Sequence, residues 1–161
     1  MRERNLNWTP GNVVSYFRMI CATKFTDNIG KAVQKLTLTI KLQSRKKFIL
    51  LRESGFNASR HFEMFVKNYA LMYFIDEFDA QRFLLFCAFV IDFAIRYYLH
   101  GAVDAPHHAA VIIAEVLTDN KETFILNGNW ELLNEESTGY IRGDFSSHGC
   151  FNCFRPFQFQ K

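Results

Sequence analysis

A single arginine stands where an acidic turn meets an apolar helix. The turn runs from Phe74 to Asp79 and carries three carboxylates, and Arg82 follows it. The next stretch, residues 83–99, is apolar apart from Asp92 and Arg96, which at i and i+4 can pair on one helix face. Half-burying a cation is costly unless an anion meets it. Arg82 can therefore form a charge pair, either with Asp79 three residues earlier on the same helical face or with a carboxylate of a binding partner.

A second group of reactive side chains lies near the end of the chain. Cys150 and Cys153 form a Cys-x-x-Cys pair, with His148 close by. A structural zinc site needs four ligands, and the sequence has no second close pair. Adjacent histidines, such as His107 and His108, point to different faces of a helix and do not chelate as a pair. We therefore expect no metal site and no cofactor.

Enzyme chemistry has no support in the sequence. The chain has no nucleophile elbow, no phosphate-binding loop and no paired carboxylates beside a base. We expect no catalytic residue, and we expect that the protein is not an enzyme.

Helices position these side chains, because apolar residues recur along most of the chain at helical spacing. The predicted helix starts are Asn12, Asp27 or Asn28, Phe48, Ser59, Asp79, Asp104, a capping box at Asp119, and Asn129. Residues 36–42 also alternate with a period of two, so a strand is the alternative there. The longer window favours a helix. The predicted fold is all-α, with seven or eight helices around the central apolar helix.

Composition limits the remaining possibilities. A chain of 161 residues makes one domain with a sizeable core, and 18 Phe with few Gly and Pro argue against an all-β fold. The net charge of +3 is mild, and the run Arg45-Lys46-Lys47 is too short to indicate nucleic acid. We interpret that run as a solvated helix face.

The sequence also predicts the cellular setting. The N-terminus lacks the apolar segment of a signal peptide, and residues 83–99 are too short and too charged to span a membrane. Four cysteines do not make a disulfide scaffold, so we expect a reducing, intracellular compartment. We divide the chain into a helical domain, residues 1–137, and a loosely ordered tail, residues 138–161, without a transmembrane anchor.

Two motifs together resemble those of one family. Phe74-x-Asp76-x-x-Asp79-x-x-Arg82 before an apolar helix resembles the first homology motif of the Bcl-2 apoptosis regulators. The stretch from Phe124 to Trp130 resembles the second, and the order and separation are right. The resemblance covers residues 12–136 and is greatest to the divergent homologues of large DNA viruses, of the poxvirus or iridovirus type.

The resemblance implies a Bcl-2-like bundle and an anti-apoptotic function. In that family a groove captures BH3 helices of pro-apoptotic proteins, and the arginine corresponding to Arg82 pairs with the ligand's aspartate. The implied cleft lies between the helix Ser59–Phe74 and the helix that begins at Asp79. The implied groove residues are Arg82, Asp79, Gln81, Tyr69, Tyr73, Leu84, Leu85, Phe89, Phe65, Leu36 and Ile40.

The resemblance also implies partners and a location. The ligands are Bim-like BH3 motifs, and Gln81 in place of the family's Gly narrows the set that is tolerated. Leu36 and Ile40 belong to a stripe with the spacing of a BH3 helix, but no acid follows, so they form a wall of the chain's own groove. An empty apolar groove favours a homodimer. The expected location is the host cytoplasm, peripheral to mitochondria.

Two other classes stay open at the sequence level. One is a pro-apoptotic or membrane-perturbing Bcl-2-like protein, which is expected to carry its own acid-bearing BH3 motif and a membrane anchor. The other is a helical adaptor that is unrelated to apoptosis. An unrelated adaptor is expected to bind no BH3 peptide, and this separates it from the anti-apoptotic and the pro-apoptotic Bcl-2-like proteins.

Overall fold

Six α-helices make up the described part of the chain. The computed structural model describes residues 26–126 and 128–143, and in these ranges it contains no strand. The helices are α1 (Asp27–Glu53), α2 (Ser59–Tyr73), α3 (Ala80–Leu99), α4 (Ala105–Asp119), α5 (Lys121–Leu126) and α6 (Asn129–Arg142). The prediction of an all-α fold is confirmed. The predicted helix at Asn12 lies outside the described residues.

Helix α1 is longer than the sequence pattern suggested. Thr26 caps it, with the side-chain oxygen accepting from the Ile29 N–H at 3.3 Å, and the helix continues without a break to Glu53. The prediction of a separate short helix from Phe48 to Arg52 is wrong, because Phe48 continues the buried face of the preceding turns. The strand alternative for residues 36–42 is also wrong, since these residues lie in the middle of α1.

Two predicted helix starts need correction. Ala58, rather than Ser59, is the capping residue of α2, and its N–H donates to Nδ1 of His61 at 3.3 Å. The predicted capping box at Asp119 does not form, because Asp119 is the last residue of α4 and α5 begins at Lys121.

In the last helix the predicted cap, Asn129, is the first helical residue, and the helix extends past the predicted domain boundary. Helix α6 starts at Asn129 itself, after Gly128 in the left-handed conformation (φ 89°). The predicted domain boundary after residue 137 falls within α6, because the helix continues to Arg142. The rest of the predicted tail, including His148, Cys150 and Cys153, lies outside the described residues.

Helix α3 occupies the centre of the bundle. It packs against α1, α2, α4 and α6, and twelve of its residues are buried. Its Phe93 contacts Phe48, Phe62 and Phe65 of the surrounding helices, at ring-centroid distances of 6.2, 6.1 and 5.2 Å. Such aromatic contacts add to the free energy of burial. Within the described ranges no helix is both long and apolar enough to cross a membrane.

A polar network joins α1 to α3 at the edge of this apolar core. Arg96 Nε lies 2.8 Å from Asp92 Oδ2, which confirms the predicted pair one turn apart. Ser44 of α1 donates to the same carboxylate oxygen at 2.5 Å, and Arg96 also donates to the Lys41 carbonyl at 3.2 Å. The network fixes the rotation and register of α1 against the central helix, because both partners of each contact are held by the packing around them.

Candidate functional site

An apolar cleft lies between the C-terminal half of α1 and the helix α2. The two helices do not pack closely along their lengths, and the turn between them reverses the chain through Gly55 (φ 83°). The space that remains has a volume of about 620 Å³. Its lining residues are Lys47, Leu50, Leu51, Ser54, Phe56, Met64, Phe65, Asn68 and Tyr69.

The rim of the cleft is apolar and open to solvent. Leu50 is 59% exposed and Met64 is 47% exposed, although both are large apolar side chains. Lys47 reaches across the cleft, with Nζ 5.6 Å from the centroid of the Phe65 ring. Burial lowers the pKa of Lys47. Burial of Leu50 and Met64 by a ligand would remove their exposed apolar surface from water, which is favourable.

Stacked aromatic rings continue from the cleft along α2. The ring of Phe65 stacks on Tyr69 at 6.1 Å, and Tyr69 stacks on Tyr73 at 5.4 Å. Burial raises the pKa of both tyrosines, that of Tyr73 to about 12. Arg82 lowers the Tyr73 pKa and Asp79 raises it, so the Tyr73 ring lies within electrostatic reach of both. The stack therefore connects the cleft to the N-terminus of α3.

Arg82 lies at that N-terminus and is partly exposed, with 24% of its side chain accessible. Its Nε is 3.5 Å from Asp79 Oδ2, and its Nη2 is 3.6 Å from Glu77 Oε2. Nη1 also donates to the Glu77 carbonyl at 3.3 Å. Asp79 has a second role as the cap of α3, since its Oδ1 accepts from the Arg82 N–H at 2.7 Å.

The intramolecular pair between Arg82 and Asp79, the alternative raised by their spacing, is therefore present. Sequence reasoning missed Glu77, the second carboxylate at the guanidinium. Its position five residues before Arg82 is outside the usual helical pair spacing, so only the path of the turn brings the two together. The side chain of Glu77 is 62% exposed, whereas Asp79 is held by its capping hydrogen bond.

Several predicted groove residues lie behind the cleft rather than in it. Leu36, Ile40, Leu84 and Phe89 are 1–4% exposed and belong to the core. Leu85 is half-buried against this core. Residues further along α1, namely Lys47, Leu50 and Leu51, supply the wall that Leu36 and Ile40 were expected to form.

Gln81 is directed to another part of the bundle. Its Nε2 donates to Glu136 Oε2 of α6 at 3.3 Å. Of the predicted groove residues, Phe65 and Tyr69 line the cleft. Tyr73, Asp79 and Arg82 lie beyond it, where the stack of rings meets the N-terminus of α3. The structure places the cleft between α1 and α2, whereas the prediction placed it between α2 and α3.

Two other depressions lie elsewhere in the described helices. One of about 540 Å³ lies among α4, α5 and α6 and is lined by Trp130 and Phe124. A smaller one of about 340 Å³ lies between α2 and α4. In the described ranges, no group of three His, Cys, Asp or Glu side chains could hold a metal ion.

The described helices form an all-α bundle with an open apolar cleft, and stacked rings lead from this cleft towards Arg82. A scan against protein-family models, a search of curated proteins and a search of solved structures each found no match. Any narrower assignment therefore depends on the chain's own residues.

Proposed function

We propose that this protein binds amphipathic helices in the cleft between α1 and α2, and that its ligands are BH3 helices of pro-apoptotic proteins. Capturing these helices suppresses programmed cell death. The observation that supports the proposal is an apolar cleft of about 620 Å³ connected by three stacked rings to the partly exposed Arg82. A helix-binding groove needs apolar contacts for affinity and a charged group for register.

The dimensions of the site suit a helical ligand. From Phe65 to Tyr73, α2 rises about 12 Å, at about 1.5 Å per residue. A bound helix that lies along α2 would make about two turns over the same distance. Its apolar residues would cover Leu50 and Met64, and an acidic residue further along would reach Arg82.

Charge exchange at Arg82 explains how a ligand could be recognised. The pair between Arg82 and Glu77 is open to solvent, and such exposed pairs contribute about 0–1 kcal/mol. A ligand carboxylate can replace Glu77 at little cost, while Asp79 stays in place as the helix cap. Once the ligand helix excludes water, truncating one partner of the new pair costs about 2–5 kcal/mol.

Replacing Arg82 tests the proposal. Arg82→Ala is expected to weaken binding of a BH3 peptide by about tenfold or more, because the ligand's aspartate would be left buried without a partner. Calorimetry with a panel of BH3 peptides measures the change, and circular dichroism checks that the bundle is intact. Arg60→Ala is the matched control, since Arg60 is an exposed arginine of α2 that does not line the cleft. Unchanged affinity in Arg82→Ala would refute the pairing.

A double-mutant cycle gives a sharper result. A peptide whose aspartate is changed to asparagine should bind the native protein weakly and should be insensitive to Arg82→Ala. Glu77→Gln should increase the affinity of the unmodified peptide, since it removes the competing carboxylate. If the two losses are additive, the aspartate and Arg82 do not interact.

The peptide panel also separates the other classes. Absence of binding to every BH3 peptide, with the bundle intact, would favour a helical adaptor unrelated to apoptosis. Leakage of liposome contents would favour a membrane-perturbing protein.

We further propose the setting that the family resemblance implies, a viral protein in the host cytoplasm, near mitochondria. A homodimer through the cleft would appear in sedimentation experiments and would dissociate when peptide is added.

A further inference from the structure

The charge on α1 is one-sided. Residues 28–52 contain seven basic side chains and no acidic one, although the whole chain has a net charge of only +3. The basic residues are Lys31, Lys35, Lys41, Arg45, Lys46, Lys47 and Arg52. A helix face that serves only to be solvated usually mixes both signs, because pairs one turn apart then stabilise it. The absence of acids over this length needs a different explanation.

Large apolar side chains are exposed among these charges. Leu38 is 72% exposed, Leu42 is 61% exposed and Ile49 is 42% exposed. Together with Arg45 they follow the spacing i, i+4, i+7 and i+11, so all four lie on one side of α1. We call this surface, formed by Leu38, Lys41, Leu42, Arg45, Lys46 and Ile49, the basic strip.

Among the described residues, the neighbouring elements leave the basic strip uncovered. On one flank, Lys35 Nζ donates to the Tyr140 carbonyl at 3.2 Å, and Thr39 shares a hydrogen bond of 3.1 Å with the Tyr140 hydroxyl, so α6 covers this side. Further along the same flank, which Leu50 shares with Thr39 at the spacing i and i+11, Lys47 and Leu50 line the cleft. The buried face of α1, with Ile40, Ser44 and Leu51, lies opposite Leu42, so the strip points away from the core.

We propose that the basic strip docks α1 flat on an anionic lipid surface. Leu38, Leu42 and Ile49 would enter the boundary between headgroups and acyl chains, while the surrounding lysines and arginine meet the lipid phosphates. A nucleic acid would complement the charge equally well, but it offers no apolar phase for three aliphatic side chains in the centre of the strip. A helix that lies in the headgroup region in this way makes a peripheral and reversible contact. It does not depend on the function of the cleft.

Vesicle co-sedimentation of the whole chain tests the proposal. Binding is expected to vesicles with about 30% phosphatidylserine, because each basic residue near an anionic surface adds to the binding free energy. Neutral phosphatidylcholine vesicles lack this attraction and should not bind the protein. Salt at about 0.5 M should release the protein by screening the charges. Binding that is equal for neutral and anionic vesicles, or no binding to either, would overturn the proposal.

Two pairs of variants assign the binding to the basic strip. Arg45→Glu with Lys46→Glu should lower the partition coefficient by about tenfold or more. Arg60→Glu with Lys121→Glu, on other helices, changes the net charge equally and should have a much smaller effect. Equal losses in the two pairs would show that net charge alone attracts the protein to the vesicle, and would overturn the assignment to this strip.

The apolar part of the strip requires its own test. Leu38→Gln with Leu42→Gln keeps every charge, and both side chains are exposed, so the fold is expected to persist. This variant should bind anionic vesicles several-fold more weakly. Unchanged vesicle binding would overturn lipid as the occupant.

A fluorescent probe reports on the surface directly. In Leu42→Trp the emission should shift to shorter wavelength when anionic vesicles are added, as the indole leaves water. If its emission is already that of a buried indole and does not change with vesicles, another part of the chain or a second copy covers this face. That result would also overturn the proposal.

Discussion

The network of Ser44, Asp92 and Arg96 leads to a quantitative prediction about stability. The Asp92 and Arg96 side chains are only 13% and 17% exposed, and their closest atoms are 2.8 Å apart. In Asp92→Ala, the described partners left to the guanidinium would be two neutral oxygens, Ser44 Oγ and the Lys41 carbonyl, each at 3.2 Å. Breaking a charge pair that is largely withdrawn from water costs about 3–5 kcal/mol, and the remaining exposure reduces this to about 2–4 kcal/mol.

A second ion pair in the same chain provides the comparison. Glu63 and Lys67 are also one turn apart, at 3.1 Å, but their side chains are 35% and 43% exposed. An exposed pair of this kind contributes about 0.3–0.5 kcal/mol. Glu63→Ala should therefore have little effect, whereas Asp92→Ala should lower the free energy of unfolding several-fold more.

Thermal and chemical denaturation measure both variants. With about 4 °C lost for each kcal/mol, Asp92→Ala should lower Tm by about 8–16 °C and Glu63→Ala by about 2 °C or less. Adding Arg96→Ala to Asp92→Ala should cost little more, because the first change has already removed the pair. Equal Tm shifts for Asp92→Ala and Glu63→Ala would refute the argument that burial makes this network important.

Two further predictions concern alkaline pH and the start of α6. Burial raises the pKa of Tyr97 from 10.0 to about 12, so the contribution of this tyrosine to stability is complete below pH 10 and is lost as the pH rises towards 12. Denaturant titrations of Tyr97→Phe should show a smaller loss of stability at alkaline pH. At neutral pH the same variant should lose about 1 kcal/mol, because it lacks the hydrogen bond from the Tyr97 hydroxyl to the Phe56 carbonyl. Gly128→Ala should destabilise the protein by about 1–3 kcal/mol in urea denaturation, since φ is +89° and the new Cβ would lie 2.9 Å from Leu132 Cβ. Gly139→Ala, in open space within α6, should instead stabilise the protein by about 0.5–1 kcal/mol. A loss of stability in both glycine variants would contradict the backbone argument.

Local features of this fold were predictable from the sequence. The apolar spacing predicted helices correctly, because burial of one face dominates helix formation in proteins. The position of Asp79 three residues before Arg82 raised their pair as one of two alternatives, and the structure shows this pair together with the capping bond that the same spacing allows. The pair of Asp92 and Arg96 was predictable for the same reason, since both partners lie on one helix.

Features that depend on distant residues were not predictable. Because α1 continues to Glu53, the wall of the cleft consists of Leu50 and Leu51 rather than Leu36 and Ile40. The pattern around Phe48 favoured a break instead. Periodicity within one segment reports which face is buried, but not which helix covers it.

Long-range polar contacts were missed for a related reason. Gln81 reaches Glu136, which lies 55 positions away in the chain, and Ser44 reaches Asp92 across 48 positions. Neither residue carries a sequence signal that identifies its partner. Such contacts depend on how the helices pack, and single-segment reasoning does not specify this.

The long helix α1 has a consequence for how this chain can change over evolutionary time. Ile49 and Leu50 are neighbours in the chain, yet one belongs to the outward strip and the other to the wall of the cleft. Selection on one surface can therefore act almost independently of selection on the other. Ser44 in the same helix is fully buried, so substitutions there would disturb both surfaces together, and we expect it to vary more slowly than either neighbouring face.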